Sequence, residues 1–152
     1  MKMQLTQKET TLLKDLKDQE KLCVDKYTKY SQCAKDKQLG ELFSKIANIE
    51  QGHYNTLCGI ENGSAPAMSG SSQTAMPTFT ASYSMGDTPD KQSDCYLCTD
   101  SLASEKHVSS LYDTCIFEFK DTAVRDALNH IQKEEQSHGK MLYDYMQTNS
   151  MY

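Results

Sequence analysis

Two stretches of this chain repeat each other at one fixed offset of 85 residues, and no other feature constrains the fold as tightly. Glu20 aligns with Glu105, Lys21 with Lys106, Tyr27 with Tyr112, Lys35 with Lys120, and Asp36 with Asp121. Further along, Ile46 aligns with Ile131, Glu50 with Glu135, Gln51 with Gln136, His53 with His138, and Leu57 with Leu142. Such self-similarity marks two copies of one supersecondary unit. Within each copy, apolar or small residues recur at alternating spacings of three and four. The first copy has Leu13, Leu16, Cys23, Tyr27, Tyr30 and Ala34, then Leu39, Leu42, Ile46, Ile49 and Leu57. The second has Leu102, Val108, Tyr112, Cys115 and Phe119, then Val124, Ala127, Ile131, Met141 and Tyr145. This is the period of a helix, not of a strand.

Local signals set the ends of these helices. Thr6 with Glu9 spells a capping box, and Asp36 and Asp121 suit N-caps after short breaks. All three prolines, Pro66, Pro77 and Pro89, fall between Asn62 and Asp94. The reading is an all-α chain: a four-helix bundle of two duplicated antiparallel hairpins in a single domain over 1–152. Hairpin 1 is expected over about 6–61, a polar linker over about 62–94, and hairpin 2 over about 95–147. A helix of about 26 residues is about 40 Å long. An extended linker of this length covers that distance, so it is expected to be a long crossover from one end of the bundle to the other.

Composition removes several classes of function. The 152 residues suit one domain with a real core. The net charge is −5, from 16 basic and 21 acidic residues. There is no basic cluster, and Arg125 is the only arginine, so neither nucleic acid nor an anionic membrane is expected as a partner. The opening residues are charged and lack an apolar core, so no secretory signal is expected. The uncharged run from Asn62 to Gly86 is too rich in Ser, Thr, Gly and Pro to enter lipid. Six cysteines without a signal point to reduced thiols inside the cell. Cys95 and Cys98 form a C-x-x-C with no second pair to complete a zinc site, and read as unpaired structural thiols. No phosphate-binding loop, dinucleotide turn or nucleophile elbow is present.

The chemistry lies in the acidic and imidazole residues. Glu50 and His53 stand three apart in IANIEQGHYNTL, and Glu135 and His138 stand three apart in HIQKEEQSHGKML. Residues so spaced share a helix face. Thirty residues before each of these glutamates lie Glu20 and Glu105, and both interrupt an apolar seam. A carboxylate aimed into a core is costly unless paired or bound to a cation. Two divalent ions would balance the four carboxylates.

This set is the inward-facing pattern of ferritin-like di-iron and di-manganese bundles. A given histidine has roughly a 6% chance of a Glu three residues before it, so one Glu-x-x-His is a weak signal and the doubled, spaced set is a specific one. The expected ligands are Glu20, Glu50, His53, Glu105, Glu135 and His138. The two Glu-x-x-His pairs would be end ligands, and Glu20 and Glu105 would ligate or bridge. The expected cofactor is two divalent ions, iron before manganese. Tyr27 and Tyr112, two turns from the seam glutamates, read as core packing before two other roles: hydrogen-bond partners of a ligand carboxylate, or catalytic participants in one-electron chemistry. Glu134 reads as a solvated charge on another face, and His107 and His130 as surface or capping residues.

The segment SEKHVSSLYDTCIFEFKDTAVRDALNHIQKEEQSHGKM, with LTQKETTLLKDLKDQEKLCVDKYTKYSQCAKDKQLGELF before the linker, resembles the coat F family of spore coat proteins from endospore-forming bacteria. The resemblance takes in both hairpins and omits the linker. It implies a ferritin-like fold, a place in the mother cell and spore coat, and other coat proteins or further copies of the chain as partners. It implies no particular reaction. The expected function is a coat-associated protein with a di-metal site that could act on hydrogen peroxide or oxygen. The alternative is a structural coat protein whose metal is a folding staple or is lacking.

Overall fold

The computed structural model describes residues 3–67 and 75–152; the part of the expected linker over 68–74 lies outside the described residues. The described residues form four helices: α1 (Gln7–Cys33), α2 (Lys37–Glu61), α3 (Pro89–Glu118) and α4 (Thr122–Thr148). The described residues contain no strand. α1 packs on α2 and α3 on α4 as two hairpins, while α1 faces α3 and α2 faces α4 across the core. The arrangement is a four-helix bundle. No helix among the described residues is long and apolar enough to cross a membrane.

The helix starts follow from side chains that satisfy otherwise unpaired N–H groups. Thr6 Oγ1 accepts from the Glu9 N–H at 3.1 Å, while the Thr6 N–H donates to Glu9 Oε1 at 2.8 Å. Asp36 and Asp121 cap α2 and α4 as their positions suggested. The start of α3 differs from expectation. Thr88 is its N-cap and Pro89 its first residue, so the helix begins about one and a half turns before the expected boundary. Proline fits there because the first turn of a helix needs no N–H from it.

The seam positions form the core. Leu13, Leu16, Cys23 and Tyr27 of α1 and Leu39, Leu42, Phe43 and Ile46 of α2 are buried in one core. Tyr112, Phe119, Leu128, Ile131 and Tyr145 of the second hairpin join it. Each large side chain taken from water contributes about 1.5–3 kcal/mol. Tyr30, Ala34, Ile49 and Leu102 continue the apolar spacing but stay partly exposed.

Each hairpin also ties down the turn of the other. Asp94 on α3 is fully buried and accepts from the N–H groups of Lys35 at 2.8 Å and Asp36 at 2.9 Å. Glu9 on α1 accepts from the N–H of Lys120 at 3.0 Å. Segment 75–88 is held by similar bonds. Gln38 exchanges two hydrogen bonds with Thr80, Asn149 Oδ1 accepts from the N–H groups of Ser82 and Tyr83, and the Tyr83 hydroxyl donates to Asp94.

Candidate metal centre

Halfway along the bundle, every helix turns one or two polar side chains inward. α1 contributes Glu20 and α3 contributes Glu105, each within an otherwise apolar seam. α2 contributes Glu50 and His53, and α4 contributes Glu135 and His138, paired by the three-residue spacing. All six are buried. One ligand atom from each of Glu20, Glu50, His53 and Glu135 can be chosen so that all lie within 4.8 Å of one another, and the same holds for Glu50, Glu105, Glu135 and His138.

Glu50 and Glu135 therefore belong to both groups, while Glu20 and Glu105 belong to one each. The sequence reading has the Glu-x-x-His pairs as end ligands and Glu20 and Glu105 ligating or bridging; the two groups overlap at Glu50 and Glu135. The reason is geometric. α2 and α4 face each other, so each Glu-x-x-His pair reaches across: His53 Nδ1 lies 3.1 Å from Glu135 Oε1, and His138 Nδ1 lies 3.0 Å from Glu50 Oε1. The two imidazoles are nearly parallel, with ring centroids 6.1 Å apart.

The tyrosines both pack in the core and hydrogen-bond the cluster carboxylates, two of the roles their positions allowed. Tyr27 and Tyr112 are buried in the core, and each hydroxyl donates to the seam glutamate of the other hairpin. Tyr27 bonds Glu105 Oε1 and Tyr112 bonds Glu20 Oε1, both at 2.6 Å. One oxygen of each carboxylate is thereby fixed, and its Oε2 remains without a hydrogen-bond partner.

Glu134 corrects the sequence reading. Its carboxylate is not a solvated charge: Oε1 lies 2.8 Å from His53 Nε2 and 3.1 Å from His130 Nε2. His130 is accordingly a partner of Glu134 as well as a near-surface residue, whereas His107 is exposed as expected. His138 has no such support, and both of its ring nitrogens lack a hydrogen-bond partner. At the 85-residue offset, the position matching Glu134 is Ile49, which offers no polar atom. Nothing in the periodicity marks Glu134, because its role depends on how α4 faces α2.

The electrostatics show the cost of gathering these groups. Burial and the charge on nearby Glu50 push Glu20 up to about 8, against the pull of His53. Burial and the charges of Glu105 and Glu50 hold Glu135 well above the ordinary carboxylate range. Burial also opposes charge on Glu50, but the imidazoles of His138 and His53 outweigh it and keep that group well below. Burial likewise disfavours charged imidazoles, yet the surrounding carboxylates hold both His53 and His138 well above their usual value. Burial and like charge thus favour protons on Glu20 and Glu135, while the imidazoles favour the ionised form of Glu50.

Eight buried side-chain polar atoms lack a hydrogen-bond partner among the described residues. Seven belong to this cluster: Glu20 Oε2, both oxygens of Glu50, Glu105 Oε2, Glu135 Oε2, and both ring nitrogens of His138. Folded proteins pair nearly all such atoms. An oxygen-rich donor set with two imidazoles suits a hard or borderline divalent cation, and these residues could hold metal ions. Cys23, one turn from Glu20, is in neither group, and burial raises its thiol well above the usual range. All six cysteines are free; Cys98 is buried and Cys95 partly so.

Residues 93–152 match the Coat F domain. The Coat F match begins inside α3 and runs through α4, so it contains Glu105, Glu135 and His138. It agrees with the coat F family of spore coat proteins and covers the second hairpin, not both as the sequence resemblance had it. Comparison with curated proteins and with solved structures finds no match.

Proposed function

We propose that this chain is a spore coat component built as a ferritin-like bundle around two divalent metal ions, iron in preference to manganese. The observation that carries the proposal is the set of seven unpartnered polar atoms gathered on five buried residues from all four helices. Hydrogen-bonded core polars would have satisfied one another. These instead point at a common space, as ligands do.

In this reading the repeat is a duplicated hairpin. The exchange of Tyr27 and Tyr112 between halves supports it, as do the turn contacts of Glu9 and Asp94, which also stand 85 residues apart. The bonds from segment 75–88 to Gln38, Asn149 and Asp94 support a linker that crosses to the far end. Glu50 and Glu135 would be shared by both ions. Glu20 with His53 would complete one position, and Glu105 with His138 the other. A redox-active pair of ions would supply electron transfer to a small oxidant such as hydrogen peroxide or oxygen. The protein's part is to orient the donors through Tyr27, Tyr112 and Glu134 and to keep bulk water out. The Coat F domain supports the place of action, with other coat proteins or further copies of the chain as partners.

The test is metal content of protein purified without chelator or affinity metal. About two iron or manganese ions per chain are expected, as for other bundles of this type. The Glu20→Ala, Glu105→Ala double variant should hold less metal, melt lower and consume peroxide more slowly than the parent. Metal content near zero that reconstitution cannot raise would sink the metal reading and leave a structural coat bundle. Full occupancy with equal peroxide consumption in parent and variant would leave the metal as a folding staple.

A further inference from the structure

The two faces of the bundle that flank the cluster are not alike. Between α3 and α4 lies a groove of about 440 Å³, and two of its lining residues are cluster carboxylates, Glu105 and Glu135. Its walls there are small or short: Ser109, Ser110 and Gly139. The opposite face, between α1 and α2, also has a hollow, of about 370 Å³, but no cluster residue lines it. The sequence offset explains the contrast. The position matching Gly139 is Tyr54, and the position matching Leu102 is Lys17. The Lys17 ammonium lies over the Tyr54 ring, 5.8 Å from its centroid, and is anchored by Glu61 at 2.9 Å. On this face a ring and a paired lysine fill the space that Gly139 leaves open on the other.

We propose that the α3–α4 groove is the port through which a hydrated divalent cation reaches the cluster, and that Gly139 keeps it open. This rests on the metal reading above. Two further observations support it. Glu105 Oε2 and Glu135 Oε2 are buried and unpartnered, and both residues line the inner end of the groove. Asp113 adds a third carboxylate against a single lysine, Lys106, so the lining favours a cation. The lack of a side chain at Gly139 is not forced by crowding. A Cβ there would meet Leu102 Cδ1 at 3.6 Å, an ordinary contact, so alanine fits while a ring would fill the passage.

The experiment follows uptake of Mn²⁺ by apoprotein, reading loss of the free-ion paramagnetic resonance signal after rapid mixing, with final stoichiometry measured alongside. Gly139→Tyr should slow uptake by about tenfold or more, as closing a gate does, with the same final Mn²⁺ content. Gly139→Ala should stay within about twofold of the parent. If Gly139→Tyr fails to fold, a charge pair serves instead. Lys106→Glu, in the groove, should speed uptake several-fold at low ionic strength, while Lys21→Glu, its counterpart on the closed face, should not. Uptake by Gly139→Tyr at the parental rate and stoichiometry would overturn the port, as would equal acceleration by the two lysine variants. Absence of Mn²⁺ binding in the parent itself would instead overturn the metal reading.

Discussion

Hairpin 1 and hairpin 2 place the same donors at the same offset, yet surround them differently. Each supplies a seam glutamate, a Glu-x-x-His pair and a tyrosine that crosses to the other half. His53 Nε2 is backed by Glu134, whereas His138 Nε2 has no hydrogen-bond partner. Tyr54 with Lys17 fills one face, whereas Gly139 opens the other. What the halves share is the ligand geometry. What separates them is how firmly a ligand is held and from which side it is reached. A bundle of identical halves would give two equivalent metal positions; in the reading proposed above, this one would give a supported position and an accessible one.

The largest effect should come from breaking the shared carboxylates instead of the single-sided ones. Glu50→Gln keeps the side-chain shape but removes a donor common to both groups, so both ions should be lost. Glu20→Gln removes a donor from the His53 group alone and should leave one ion per chain. Metal content of the two purified variants decides this. Equal loss in both would mean that the division into shared and single-sided ligands is wrong. The apoprotein should report the same hierarchy, because Glu50 is the carboxylate held ionised between two imidazoles. Removing one partner from a buried charged set typically costs about 3–5 kcal/mol.

A smaller effect tests the difference at the imidazoles. A carboxylate behind a metal-binding histidine fixes the ring and its tautomer, and its loss typically lowers metal affinity about 10- to 100-fold. Glu134→Gln should therefore weaken one of two binding steps by about that factor and leave the other unchanged. Calorimetric titration of apoprotein with Mn²⁺ resolves the two steps. Equal weakening of both would show that Glu134 supports the cluster as a whole, not His53 in particular.

These contrasts were legible in the sequence to different depths. The four helices follow from the three-and-four spacing, and the caps at Thr6, Asp36 and Asp121 come from side chains that act within one turn. The six cluster residues could be read because repeat, helix face and seam all select them. The start of α3 could not. Its first two buried side chains are the charged Lys91 and Asp94, and the apolar Leu97 and Cys98 come only in the next turn, so the first turns carry no apolar stripe to mark them. Asp94 is inside because it receives the turn of the other hairpin, and Lys91 because its ammonium donates to the carbonyls of Ser84, Met85 and Gly86. Glu134 and the groove were out of reach for a related reason. Each depends on which helix faces which, and Gly139 acts by what it lacks.

The smallest effect concerns pH, and it sets the protonated cluster against the metal-filled one. Glu20 rises on folding from the usual 4.5 to about 8, so between those values the folded chain keeps a proton that the unfolded chain releases. That contribution to stability is present below pH 4.5 and is lost as the pH climbs to about 8. Glu135 acts in the same direction, and so do His53 and His138 above 6.5, since all three are also raised. Glu50, which is lowered, contributes stability that is fully present above pH 4.5 and is lost only on acidification, so it adds no slope over this range. The melting temperature of the apoprotein should therefore fall as the pH is taken from 4.5 to about 8, at about 2–4 °C for each kcal/mol in a domain of this size. Glu20→Gln, which mimics the protonated form, should make that slope shallower without abolishing it. Metal reverses the trend, because an ion binds only as those protons leave and so binds more tightly at higher pH. An apoprotein whose melting temperature stays flat or rises over this range would show that the cluster does not store its protons in the folded state. The two halves would then balance their charges by some route other than the one their geometry indicates.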